Sequence, residues 1–184
     1  KEISTRIDDD PGQANALHGL GDVYRLQSRY TEAEQSYIRA KIIYADWNDA
    51  ESRASALNGL GDVYRLQSKY TEAERSYTRA KKLYAGINDD EGQARVLNGL
   101  GDVYRLQSKY TQAEQSFTRA QEIYPRIGHD EGRANGLRGV GYLRWKRTSG
   151  ADDKVADMSE DEDSVADDDS SWASTAESIH STPH

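Results

Sequence analysis

Between residues 54 and 71 the chain reads ASALNGLGDVYRLQSKYT, and its apolar positions fall on two stripes. Leu57, Leu60, Gly61 and Tyr64 stand at i, i+3, i+4 and i+7, the spacing of one helical face. Ala56, Gly59, Val63 and Leu66 form a second small or apolar sector. A helix that is apolar on two sides is packed on two sides. One polar stripe is left: Ser55, Asn58, Asp62 and Arg65. The spacing predicts a first helix, A, over residues 51–68, a turn at Lys69 and Tyr70, and a second helix, B, opened by Thr71. Thr71 and Glu74 have the spacing of a capping box, as do Thr31/Glu34 and Thr111/Glu114. Helix B turns Ala73, Tyr77, Ala80 and Tyr84 inward and Glu72, Arg75, Ser76 and Arg79 outward, and it is predicted to end near Ala85 and Gly86. Gly61, with no side chain, is expected to let helix B approach helix A with Ala73 opposite. Asn88, Asp89 and Asp90 read as the cap of the next A helix, and Asp10 followed by Pro11 as the equivalent start at residue 11.

The same pattern returns. Residues 57–71 recur unchanged as residues 97–111, and as residues 17–31 with only His18 and Arg29 different. Gly21, Gly61 and Gly101 set a period of 40 residues. A worn copy starts at Ala134 and keeps Leu137, Gly139, Val140 and Gly141. Units of this length that cannot bury their apolar face alone stack into a solenoid. The expected organisation is an all-α solenoid with repeats over 14–53, 54–93 and 94–133. Residues 1–13 read as the end of a preceding repeat and the start of the first A helix, because Ile3 and Ile7 align with Leu83 and Ile87. On that alignment the chain is expected to be a piece of a longer array. In the worn copy Tyr142, Arg144, Trp145 and Lys146 replace the Asp, Tyr, Arg and Leu of the other repeats, and no B-helix pattern follows. Residues 134–147 are therefore expected to form a capping helix with a polar outer face.

Repeat two resembles the tetratricopeptide repeat position by position. Leu57 stands where that family often has Trp. Leu60, Gly61 and Tyr64 fill its L-G-x-x-Y core, and Ala73, Tyr77 and Ala80 its A-x-x-x-F/Y-x-x-A run. Pro125 occupies the family's closing Pro, from which Ala45 and Ala85 depart. The usual period is about 34 residues. The longer unit here is similar to the repeats of kinesin light chains and spindle-orientation scaffolds, and to the arrays at the C-terminal end of fungal NACHT or NB-ARC sensor ATPases. The resemblance implies a right-handed superhelix of antiparallel helix pairs whose A helices line the concave side, and a protein- or peptide-binding role.

Composition narrows the reading further. Residues 1–147 carry 23 basic and 21 acidic side chains, whereas residues 148–184 carry Lys154 alone against 11 acids. A balanced body with one acidic segment argues against nucleic acid as a partner. The Asp-, Ser- and Glu-rich residues 148–184 have too few apolar groups to form a core and are expected to be disordered. Ser159 before Glu162 and Ser164 before Asp167 resemble acidophilic kinase sites, and the segment's charge could compete for arginines of the body as an intramolecular pseudo-ligand. There is no cysteine, which fits a reducing, cytoplasmic setting. No run of about 18 apolar residues suggests a membrane span.

Stacking one repeat on the next aligns equivalent residues into ladders. These are Asp22/Asp62/Asp102, Arg25/Arg65/Arg105 and His18/Asn58/Asn98/Arg138, and together they are the candidate peptide-binding groove. Asn amides can read an extended backbone, and Arg can fork onto a carboxylate or phosphate. The competing reading is a solvated scaffold in which each Asp pairs with the Arg three residues on. A carboxylate clamp of the kind the family uses is not met, because aspartates stand where Asn or Arg is wanted. The aromatic set Tyr24, Tyr37, Tyr44 and their equivalents, Phe117 included, reads as core, and Tyr30, Tyr70 and Tyr110 as packing between repeats. No catalytic constellation is visible: His18, His129, His180 and His184 are scattered, and GLGDVY lies mid-helix without the frame of a phosphate loop. No cofactor or metal is expected. The function read here is a non-catalytic scaffold that binds protein or peptide on its concave face. The alternative is the sensor or regulatory arm of a larger signalling NTPase, acting by self-association or autoinhibition.

Overall fold

The computed structural model describes residues 11–128 and 130–148. Among the described residues seven α-helices follow one another: α1 Pro11–Leu26, α2 Tyr30–Asp46, α3 Ala50–Leu66, α4 Tyr70–Gly86, α5 Asp90–Leu106, α6 Tyr110–Ile127 and α7 Asp130–Thr148. There is no strand among the described residues. Each helix packs on the next, and α1 also meets α3, α3 meets α5 and α5 meets α7. The result is an α-solenoid of antiparallel pairs in which α1, α3, α5 and α7 are the A helices. None of the helices is long and apolar enough to cross a membrane, among the described residues. The alignment of Ile3 and Ile7, the cap at Asp10 and the acidic segment beyond Thr148, with its two serine motifs, fall outside the described residues.

Both kinds of turn are closed in the same way. After helix A, Lys69 N–H donates to Tyr64 C=O at 2.8 Å and Ser68 N–H to Arg65 C=O at 3.1 Å. After helix B, Asp49 N–H donates to Tyr44 C=O at 2.9 Å and Asn48 N–H to Ala45 C=O at 3.0 Å. This crossed pair satisfies the last carbonyls and requires a left-handed residue just past the helix. Ser28, Ser68 and Ser108 (φ 59°, 59° and 60°) fill that place after A helices, and Asn48 and Asn88 (φ 55° and 57°) after B helices. Asparagine tolerates this conformation; serine gains nothing from it. Ser68→Gly is therefore expected to raise stability by up to about 1 kcal/mol, seen as a higher melting temperature, with Ser28→Gly and Ser108→Gly behaving alike.

The turns also shift the predicted boundaries. Helix A stops at Leu66, before the expected Ser68, and helix B opens at Tyr70, before the expected Thr71. The capping boxes do not form. The N-cap positions are Arg29, Lys69 and Lys109, none with a side-chain cap. The left-handed serine reverses the chain early, so the threonines lie inside the first turn of their helices. Their glutamates serve the next repeat instead. Tyr64 Oη donates to Glu34 at 3.1 Å and Tyr104 Oη to Glu74 at 2.9 Å. Lys69 adds an ion pair to Glu34 at 3.4 Å. A helices are capped as expected, with Asp49 accepting from Ser52 N–H at 3.0 Å and Asp89 from Gly92 N–H at 2.8 Å.

What holds successive pairs together is a ring between two glycines. Tyr77 is fully buried. A Cβ placed on Gly61 would lie 2.6 Å from its ring, and one on Gly99 of the following A helix also 2.6 Å. Tyr37 stands in the same way between Gly21 and Gly59, and Phe117 between Gly101 and Gly139. The residue opposite Gly61 is thus Tyr77 and not Ala73. Ala73 is itself fully buried, but it is the ring, one helical turn further on, that the missing side chain admits. Each B-helix aromatic sets the spacing both to its own A helix and to the next one.

Candidate functional site: an A-helix trough

The polar stripes of α3, α5 and α7 face one side and enclose an open trough of about 640 Å³. Its lining includes Asn58, Asp62, Arg65, Asn98, Asp102, Arg105 and Arg138, seven of the ten residues expected from the sequence. His18, Asp22 and Arg25 lie beyond its N-terminal end on α1, where His18 Nδ1 is 3.5 Å from Asp22 and its Nε2 is 3.2 Å from Ser55 Oγ. Tyr77, Tyr124, Glu91, Arg95, Asn135 and Tyr142 also line the trough. Of these, Arg95 and Asn135 were legible as the ladder position of Ser55, and Tyr142 as that of Asp102.

The floor is a chain of alternating charge. Arg25, Arg65 and Arg105 approach Asp22, Asp62 and Asp102 at 3.5, 3.4 and 3.0 Å. Arg65 also feels Asp102 in the next repeat. Burial works against its charge, but Tyr77 and the two carboxylates outweigh it and raise the guanidinium's pKa. Tyr37 and Tyr77 push a hydroxyl up from the core to donate to Asp22 and Asp62, both at 2.7 Å. Phe117 has no hydroxyl to offer Asp102. There Arg105 closes in with two nitrogens, Nη2 at 3.0 Å and Nε at 3.3 Å. Much of each Asp–Arg pair is therefore committed within the chain, in the manner of the scaffold reading.

The asparagines divide. Asn98 spends its amide hydrogens on Tyr124 Oη at 3.0 Å and Gly132 C=O at 3.2 Å, which ties α5 to α6 and α7. Asn58 lines the trough.

At α7 the ladder changes character. Tyr142 stands in the aspartate row and Trp145 in the arginine row, 39% and 61% exposed. Their ring centroids are 6.0 Å apart, and the Arg105 guanidinium lies 5.2 Å over Tyr142. Arg138 pairs with the neutral amide of Asn135. The trough thus passes from internally paired ions to an exposed Tyr142 beneath a guanidinium, with Trp145 next to it but outside the lining. The outer face of α7 is correspondingly less polar than expected, with Leu137 51% exposed. Among the described residues, no group of three or more His, Cys, Asp and Glu side chains is placed to hold a metal ion.

Helix pairs on a ring-and-glycine spacer, with a stripe of ladder residues on the A side, match known profiles. One tetratricopeptide repeat profile covers residues 16–51 and a second residues 52–126. The chain belongs to the tetratricopeptide repeat family. Repeats of this family are generally protein-interaction scaffolds and typically not catalytic. Among solved structures, the crystal structure of BtubC (BKLC) from P. vanneervenii is similar, with a TM-score of 0.53 and 18% identity over 84% of this chain and 72% of that one. That likeness speaks to the fold. No protein of curated function matches the chain.

Proposed function

We propose that this solenoid is a non-catalytic scaffold that holds a peptide segment of a partner protein along the A-helix trough. The observation that carries the reading is the break in the ladder at α7. Three repeats place paired Asp and Arg along the floor, where each charge is answered from within. The fourth places an exposed Tyr142 in the lining under the Arg105 guanidinium, with exposed Trp145 next to its ring, and Arg138 also lines the trough. Trp, Tyr and Arg are the residue types enriched among those that carry most of the binding energy once an interface forms. An apolar side chain lying on the two rings, with a neighbouring carboxylate on Arg138, fits their chemistry.

The test separates the two faces of the solenoid. Arg138→Ala with Tyr142→Ala removes two exposed groups of the trough lining and is expected to leave helicity nearly unchanged. The control is Arg75→Ala with Arg119→Ala, exposed positions on B helices. Wild type and both variants serve as bait for native lysate. Partners retained by the control and lost by the α7 variant support the trough. A loss of about 2 kcal/mol at one such anchor is roughly thirtyfold in affinity. Partners lost by the control and kept by the α7 variant would move binding to the convex face.

A second reading, the regulatory arm of a larger signalling NTPase, draws on the near-identity of repeats two and three, which suits a recently duplicated array. It predicts self-association of the solenoid, measurable by sedimentation.

A further inference from the structure

The trough floor shows what a carboxylate receives in this molecule. Asp22 and Asp62 each take a guanidinium from three residues on, at 3.5 and 3.4 Å, and a tyrosine hydroxyl at 2.7 Å. Each guanidinium lies in turn in the field of two carboxylates, its own and that of the next repeat. Arg25 faces Asp22 and Asp62, and Arg65 faces Asp62 and Asp102. For Arg105 the next rung is Tyr142.

The fourth repeat keeps the donors and drops the acceptor. The Arg105 guanidinium, paired with Asp102 at 3.0 Å, lies 5.2 Å over the Tyr142 ring. Arg138 stands one helical turn before Tyr142 on the same face of α7, where the other repeats carry His18, Asn58 and Asn98. Its partner is the neutral amide of Asn135. The other arginines of the lining, Arg65, Arg95 and Arg105, each have a carboxylate of their own helix within 3.4 Å. The lining thus holds four arginines against three carboxylates, and the surplus charge is at α7. Two guanidinium groups and a tyrosine hydroxyl on one stretch of the trough are donors for one anionic group.

We infer that the α7 end of the trough is a seat for an acidic side chain of the ligand, whose carboxylate fills the ladder place that Asp22, Asp62 and Asp102 hold in the first three repeats. On the peptide-binding reading above, on which this rests, the seat adds the residue class that the peptide carries. Arg138 and Tyr142 determine that specificity: Tyr142 withholds the internal carboxylate, and Arg138 adds a cation. The surplus is a single charge, which a carboxylate answers and a phosphate dianion exceeds.

The test returns α7 to the pattern of the other repeats. Tyr142→Asp gives Arg105 the second carboxylate that Arg25 and Arg65 have. Arg138→Asn gives the fourth repeat the residue of the second and third. Both side chains are exposed, so helicity should hold. The probe is a phage-displayed library of random peptides selected on the full 184-residue chain. Selected peptides are resynthesised with an amidated C-terminus, which removes the terminal carboxylate, and titrated by fluorescence anisotropy. They are expected to share an Asp or Glu. Changing it to its amide should weaken binding about tenfold, as should Tyr142→Asp or Arg138→Asn in the chain. Combined, the peptide and chain changes should cost no more than either alone, which places the acid in the seat. Peptides without an acid, or with one whose loss adds fully to that of Tyr142→Asp, overturn the seat. If Arg65→Ala releases such peptides, the trough reading survives without it. A phosphoserine that binds at least tenfold more tightly than the acid it replaces overturns the carboxylate in favour of a phosphate. A library from which the folded chain selects nothing removes the trough reading and the seat together.

Discussion

Tyr77→Ala is expected to cost about 3–5 kcal/mol, the range for removing a large aromatic from a core. The effect is at the upper end of single-residue changes for a geometrical reason. The ring is fully buried between Gly61 and Gly99, with no side chain on either glycine to collapse into the void. It is also the donor to Asp62, which would keep only Arg65. Because a solenoid is stabilised by nearest-neighbour contacts, the damage should be local. Amide exchange should accelerate in α3, α4 and α5 and change least in α1. Tyr77→Phe removes the hydroxyl alone and should cost about 1 kcal/mol. The reciprocal change, Phe117→Tyr, gives Asp102 the donor that Asp22 and Asp62 already have and should gain a similar amount. If hydrogen exchange and melting show Tyr77→Ala to be no worse than Tyr77→Phe, the ring does not set the spacing between repeats.

Helix identity and order could be read from the chain because each A helix announces two apolar stripes and each repeat confirms the last. What the ring meets could not. Gly61 and Ala73 are small residues on facing helices, and pairing small with small is the natural guess from sequence. The three-dimensional offset of one helical turn, which puts Tyr77 on Gly61 and then on Gly99, exists only once two repeats are stacked. The same limit explains the glutamates. Thr71 and Glu74 have capping-box spacing, but spacing does not reveal that Ser68 will take a left-handed conformation. With helix B starting earlier, the carboxylate of the preceding repeat's Glu34 is drawn to the buried Tyr64 hydroxyl. Trough residues were legible wherever a ladder repeats, as with Asp62, Arg65 and Arg105. They were missed where the lining comes from the other helix, as with the Tyr77 and Tyr124 hydroxyls. Tyr142 and Trp145 were visible as departures from the repeat, yet nothing in the sequence showed their rings meeting in the open.

The second large effect is expected at alkaline pH. Burial, and after it the Asp22 and Glu34 carboxylates that face them, push the Tyr37 and Tyr64 hydroxyls far above their usual value. Burial with Asp62 does the same to Tyr77. A phenol whose folded pKa is raised binds its proton more tightly when folded. Its contribution is therefore complete below the unfolded value of about 10 and is lost as pH rises from there toward the folded value. Each tyrosine withdraws about 1.4 kcal/mol per pH unit in that window, so three together withdraw about 4 kcal/mol per unit. The solenoid should stay helical to about pH 10 and then unfold steeply. The phenolate absorbance of these three residues should appear together with the loss of helical ellipticity. In a Tyr37→Phe, Tyr77→Phe double variant two of the most strongly shifted hydroxyls are gone, while burial still raises Tyr44, Tyr64, Tyr84 and Tyr124. It should begin from lower stability at neutral pH, because Asp22 and Asp62 have lost the tyrosine donors, but should lose stability with pH less steeply than the wild type. The measurement is a set of urea midpoints from pH 8 to 11.5 for both proteins. Equal slopes for wild type and variant would show that the buried hydroxyls do not govern the alkaline limit, and that the Tyr–Asp contacts beneath the trough are weaker than their 2.7 Å geometry implies.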